Sequence, residues 1–139
     1  MATTTASISI TNDVASSSVT TSGNTTLFKA ASTEGMDTMT SVSKKLTSTS
    51  QVDLLLASSV STAHNYVYIS NSGTGTSSTE HIKVGIGNAG GGSPTDTEEI
   101  GRLYNGDWMF VPWTADTNED FIITPSVATE MSIEYIVFS

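Results

Sequence analysis

Cysteine is absent from this 139-residue chain, which excludes disulfides, thiol nucleophiles and thiolate metal sites together. Proline is scarce, at three residues, so a serine and threonine content of about a third does not describe a Pro-rich, mucin-like stalk. Cations are few. Five Lys and Arg stand against 14 Asp and Glu, a formal net charge of -9, and Lys44-Lys45 is the one adjacent pair. Phosphate contacts need a dense cationic footprint, so no nucleic-acid partner is expected. No run approaches the roughly 18 apolar residues that span a bilayer, so no membrane role is expected. The first ten residues show neither the cationic start nor the apolar core of a signal peptide, and no export signal is expected.

What is present points to β-structure. The length suits one domain of about 100–200 residues, and such a chain buries roughly two-thirds of its unfolded surface without staples. Threonine is β-branched and suits a pleated surface. The Ser/Thr bias therefore reads as many short strands with small polar outer faces. The net acidity keeps such a chain soluble and self-repelling.

Apolar residues recur mostly with period two. In Glu80–Gly87, Ile82, Val84 and Ile86 alternate with His81, Lys83 and Gly85, a half-buried strand. In Glu130–Phe138, Met131, Ile133, Tyr135 and Val137 share one face and Glu130, Ser132 and Glu134 the other. Ile136 and Phe138 make the end of that segment apolar on both sides, which predicts a strand finishing between two layers. Asn65–Asn71, Trp108–Val111 and Glu119–Thr124 are further strands, with Pro112 expected at a strand end or sheet edge. Weaker strand patterns cover Ala6–Ile10, Val14–Thr20, Thr25–Ala30, Met39–Leu46 and Val52–Ala57. Gln51–Ser61 has the most helix-like pattern and reads as strand or one helical turn. Connections are expected at Ser70–Thr79, Asn88–Glu99 and Ala115–Asp120. The predicted class is all-β, a single antiparallel β-sandwich or jelly-roll-like barrel.

Nine of the ten aromatics lie at or after Tyr66. The core sandwich is therefore expected over 51–139. Residues 1–50 read as a Ser/Thr-rich polar arm or outer strand layer that orders against a neighbour.

No catalytic set emerges, and no enzyme activity is expected. His64 and His81 are the only histidines, and Glu80 beside His81 points to the opposite strand face. Serines are abundant, but no Gly-x-Ser-x-Gly elbow occurs. Asp96, Glu98 and Glu99 supply hard oxygens of the kind Ca²⁺ takes, without EF-hand spacing, and a solvated loop accounts for them. The glycines at 85, 87 and 90–92 lack the Gly-Lys-Ser/Thr ending of a phosphate loop. Asn24-Thr25-Thr26 fits a glycosylation sequon, without an export signal to give it use. No cofactor and no metal is expected.

The residues singled out are Tyr104, Trp108 and Trp113, as a candidate interface. Trp and Tyr offer large contact area at small entropy loss and dominate interface hot spots. Alternation places Trp108 and Phe110 on one face and Met109, Val111 and Trp113 on the other. Either the strand is central in a sandwich or one of its faces meets a partner.

The order of features carries a resemblance. An apolar "VDLLLAS" precedes "YVYISN", then "IKVGIG", a turn into "LYNGDWMFVPW", and the terminal "SIEYIVF". From Val52 to Phe138 this resembles small β-sandwich virion proteins of tailed bacteriophages, of the capsid decoration or cement type or of tail and neck. The resemblance implies a capsid-surface protein, oligomeric, that clamps major capsid subunits. Sandwich edge strands invite pairing and an arm can cover a neighbour's edge, so a trimer or a capsid-bound state is expected rather than a stable free monomer. The resemblance also implies assembly in the host cytoplasm and residence in the virion. A tail, neck or fibre role, or a glycan-binding module, is the alternative.

Overall fold

Alternating Thr, Ser and β-branched residues pair into strands from the first described turn of the chain. The computed structural model describes residues 3–12, 19–60, 64–73, 77–87, 98–116 and 119–139. They fall into two compact units, Met1–Asp37 and Thr38–Ser139.

The first unit is built on a two-stranded antiparallel hairpin, β1 (Thr4–Asn12) and β2 (Val19–Leu27), in one unbroken register from Thr4↔Leu27 to Asn12↔Val19. An isolated bridge, Phe28↔Gly35, follows it. The Thr4 hydroxyl donates to the Met36 carbonyl at 2.9 Å, and the Met36 N–H donates to the Leu27 carbonyl. Lys29 meets Asp37 at 2.9 Å, and that hydrogen bond raises the lysine's pKa above its ordinary value. The predicted segment Val14–Thr20 lies mostly outside the described residues.

The second unit is the sandwich. Its strands are β3 (Met39–Leu46), β4 (Val52–Leu55), β5 (His64–Asn71), β6 (His81–Gly87), β7 (Glu98–Tyr104), β8 (Trp108–Thr114), β9 (Asp120–Pro125) and β10 (Met131–Phe138). They form two four-stranded antiparallel sheets in the orders β3-β10-β5-β8 and β4-β9-β6-β7. Only β6 and β7 are sequence neighbours within one sheet, so every other connection crosses between sheets. Eight strands wound this way make a jelly roll. The all-β sandwich expected from periodicity is therefore the observed fold.

The division at residue 50 moves to Asp37/Thr38, because β3 pairs along its length with β10 and sends Leu46 into the core. The stretch Gln51–Ser61 is both of the things its pattern allowed: strand β4, then a single 3-10 turn at Ala57–Ser59. Buried Asp120 holds that turn by accepting from the Ala57 N–H at 2.6 Å. Strand β7 was not foreseen, since Glu98, Glu99, Gly101 and Arg102 interrupt apolar alternation. As an edge strand it needs only Leu103 to face inward.

Between the sheets lie Val67, Ile69, Ile82, Val84, Leu103, Trp113, Phe121, Ile123, Met131, Ile133 and Val137, all buried. Strand β10 differs from expectation. Its first inward residues are the buried ones, and Ile136 and Phe138 do not lie between layers but face outward beside Tyr68 and Tyr66.

One polar residue clasps the two sheets. Asn71, 1% exposed at the end of β5, donates through Nδ2 to the Leu103 carbonyl of β7 at 3.0 Å. Its Oδ1 accepts from the Gly73 N–H at 3.1 Å. Gly73 has no alternative, because a Cβ there would sit 2.9 Å from the Ser132 backbone nitrogen. Asn71→Ala strands a buried carbonyl and a buried N–H, so unfolding free energy should fall by about 2–3 kcal/mol. Urea denaturation measures this, and a loss below about 0.5 kcal/mol, the range of inert surface changes, would contradict the clasp.

Candidate functional site

The three singled-out residues do not share a surface. Trp113 points inward from β8 and is 3% exposed. Its Nε1–H donates to the Glu119 carbonyl at 2.9 Å, and its ring meets Phe121 edge-on at 5.2 Å. It is a core residue and offers no surface to a partner, which corrects its place in the candidate interface. Tyr104 is exposed on the outer face of the β4-β9-β6-β7 sheet, opposite His81, with their rings 5.3 Å apart. Trp108 is 51% exposed on the outer face of the other sheet. The pleat explains the division of the two tryptophans: five positions apart, they have opposite parity on one strand.

Trp108 does not stand alone. Register places Ser70, Tyr68, Tyr66 and His64 of β5 beside Trp108, Phe110, Pro112 and Thr114 of β8, and on their other side Glu134, Ile136 and Phe138 of β10. Tyr66 stacks on Phe110 at 5.5 Å with the planes 7° apart, and Tyr68 stacks on Trp108 at 6.1 Å. Phe110 reaches Phe138 at 6.4 Å, and His64 meets Tyr66 edge-on at 4.7 Å. Met39, 63% exposed, continues the row beyond Phe138. The outer face of this sheet thus carries a contiguous aromatic layer about 10 Å across, measured over β10, β5 and β8.

Such a surface is unusual for a face turned away from the core. An outward sheet face ordinarily alternates to polar residues, and a contiguous apolar patch on a soluble protein marks an interaction site. Its half-buried rings are preorganised by one another, so docking on them forfeits little side-chain entropy.

Sequence reading reached Trp108 and Phe110 as one face but missed Tyr66, Tyr68, Ile136, Phe138 and Met39 as their neighbours. The available signal was that Asn65–Asn71 and the end of β10 are apolar at both parities. Neighbourhood between strands 40 or more residues apart was not readable.

Apart from Glu134, the charged groups lie away from the aromatic rings. Glu99 and Arg102 pair at 2.9 Å on β7, with Lys83 at 3.9 Å from Glu99. The hydrogen bond from Arg102 holds the Glu99 carboxyl below its ordinary range. These groups are exposed, and such pairs contribute little to stability. Glu98 and Glu99 belong to β7 rather than to a loop, and Asp96 lies outside the described residues. Lys45 pairs with Glu130 at 2.9 Å. His81 engages the Thr79 carbonyl through Nδ1 at 2.9 Å. Among the described residues no group of three His, Asp or Glu gathers as a metal site, and no helix is long and apolar enough to cross a membrane.

No protein-family model matches the chain, and no curated protein is similar to it in sequence. Among solved structures, the crystal structure of Yersinia pseudotuberculosis-derived mitogen is similar over 73% of this chain and 85% of that one, at 11% identity and a TM-score of 0.45.

Proposed function

We propose that this chain is a non-catalytic assembly protein that docks on a protein partner through the aromatic face around Trp108. More specifically, it is a decoration or cement protein on the capsid of a tailed bacteriophage. The observation that carries the docking reading is the contiguous layer of Trp108, Tyr68, Tyr66, Phe110 and Phe138, turned to the outer side of a sheet with Trp108 exposed and the other four half-buried. The particle assignment adds the resemblance of residues 52–138 to small virion β-sandwiches. A jelly roll is compatible with it, being shared by viral capsid and lectin domains, though architecture by itself assigns no function.

The test is copurification with particles, followed by heat or osmotic challenge of particles that lack the protein. Hundreds of copies per particle and reduced resistance in their absence are the expected results. A handful of copies would move the protein to tail or neck, and unchanged resistance would remove the cement role.

A second reading has its own observation. Trp108 lies beside Ser70, with Glu134 next along the same row, an aromatic ring flanked by hydrogen-bonding groups. This is the composition of a sugar-contacting subsite. Glycan binding there would shift Trp108 fluorescence on addition of host surface polysaccharide, and a silent glycan panel would set the reading aside.

A further inference from the structure

Every sheet edge is a row of unpaired backbone groups, and soluble proteins protect such edges with charges, proline, bulges or short length. The sandwich has four edges, and each carries such a device. β3 bears Lys44 and Lys45, and β8 bears Pro112. β4 is four residues long, contains Asp53, and shifts register between Asp53 and Leu55. β7 bears Glu98, Glu99 and Arg102, with a register shift at Val84/Gly85 where it meets β6.

The N-terminal hairpin carries none of these devices. Its 9-residue strands contain no charged residue and no proline, and their nine pairs run without a bulge. This neutrality stands out in a chain of net charge -9. Copies of so acidic a protein repel one another, and β1 and β2 add no charge of their own to that repulsion. β2 already gives its Leu27 carbonyl to Met36 and continues into the Phe28↔Gly35 bridge, whereas among the described residues β1 pairs with β2 alone.

From the contrast between guarded and unguarded edges, we infer that two copies of the chain join through the edge of β1 that no strand of the described residues pairs with, placing it antiparallel to β1 of the second copy. The occupant is a second copy because the pairing strand must itself be unguarded. Among the described residues the hairpin supplies the strands of this chain that are. Antiparallel self-pairing satisfies a two-fold axis without further adjustment, an isologous contact. It converts a two-stranded ribbon, marginal by itself, into a four-stranded sheet of independently stable size. It also brings Ala6, Ile8 and Ile10 of both copies onto one face. Ile8 and Ile10 are 44% and 56% exposed in the single chain, and side-by-side pairing shields their flanks. The contact does not depend on the identity of the particle or on the aromatic face.

Sedimentation of the full chain over a wide concentration range tests it. The expected mass rises to twice 14.5 kDa and falls back on dilution, with amide exchange in β1 slowing as concentration rises. In Ser7→Lys/Ser9→Lys, like charges face one another across the two-fold axis, and the dissociation constant should weaken by about tenfold or more. Trp108→Ala should leave association unchanged, which separates this contact from docking on the aromatic face. Should the lysine variant fail to fold, the concentration dependence of β1 exchange in the unmodified chain decides alone. The inference is overturned by a mass of 14.5 kDa at every concentration, by association that the lysines leave intact, or by association that Trp108→Ala abolishes.

Discussion

Trp113→Ala is expected to destabilise the chain by about 3–5 kcal/mol, the range for removing a buried aromatic from a packed core. Three losses combine. The ring is 3% exposed and packs in the cluster between the sheets, so its removal leaves a void there. Its edge-on contact with Phe121 joins β8 to β9, strands of different sheets. Its indole N–H satisfies the Glu119 carbonyl in the connection between those strands. A domain of this size has a total stability of about 5–15 kcal/mol, so the variant should melt far below the parent or fail to accumulate. Chemical denaturation gives the value, and a loss under about 1 kcal/mol would show that the sandwich does not close around this ring.

Trp108→Ala, five residues earlier on the same strand, is expected to do the opposite. Its ring is half in solvent and its principal partner is Tyr68. Losing one partly exposed aromatic pair should reduce stability by no more than about 0.5–1.5 kcal/mol. Binding should suffer more. A tryptophan anchor at the centre of an interface contributes about 2 kcal/mol or more, close to a 30-fold change in dissociation constant. Adding purified protein back to particles that lack it, and titrating the bound copies, measures this. Retention of parental affinity by a folded Trp108→Ala protein would remove the aromatic face from the docking reading. Parental binding by Tyr104→Ala is the matching control, since Tyr104 lies on the outer face of the other sheet.

The contrast between the two tryptophans shows how far local pattern reaches. Alternation along Trp108–Val111 assigned opposite faces to Trp108 and Trp113 from the chain alone, because the pleat has period two whatever surrounds it. It did not say which face was inside. That was decided when β8 became the edge of a sheet with Val67 and Ile69 of β5 facing the core. Pro112 is accommodated there because an edge strand has one side free of ladder hydrogen bonds. The same limit explains Phe138. Apolar residues at both parities in β10 suggested burial between layers, but the structure instead places one parity in the core and the other in the aromatic layer. Strand β7 escaped notice for a related reason: its inward residue Leu103 is single, and the rest of its pattern is that of an exposed edge.

Composition and period-two spacing by themselves determined an all-β chain without cysteine chemistry and the approximate position of most strands. These properties depend on side-chain type and immediate neighbours, which the linear order contains. Tertiary structure alone decided the jelly-roll strand order, the burial of Trp113, the separation of Tyr104 from Trp108, and the assembly of Tyr66, Tyr68, Trp108, Phe110 and Phe138 into one surface. Those depend on pairings between residues 38 to 72 positions apart, from Ser70↔Trp108 to Tyr66↔Phe138. Such pairings are selected by collective packing of two sheets against each other, not by preferences that any one strand carries.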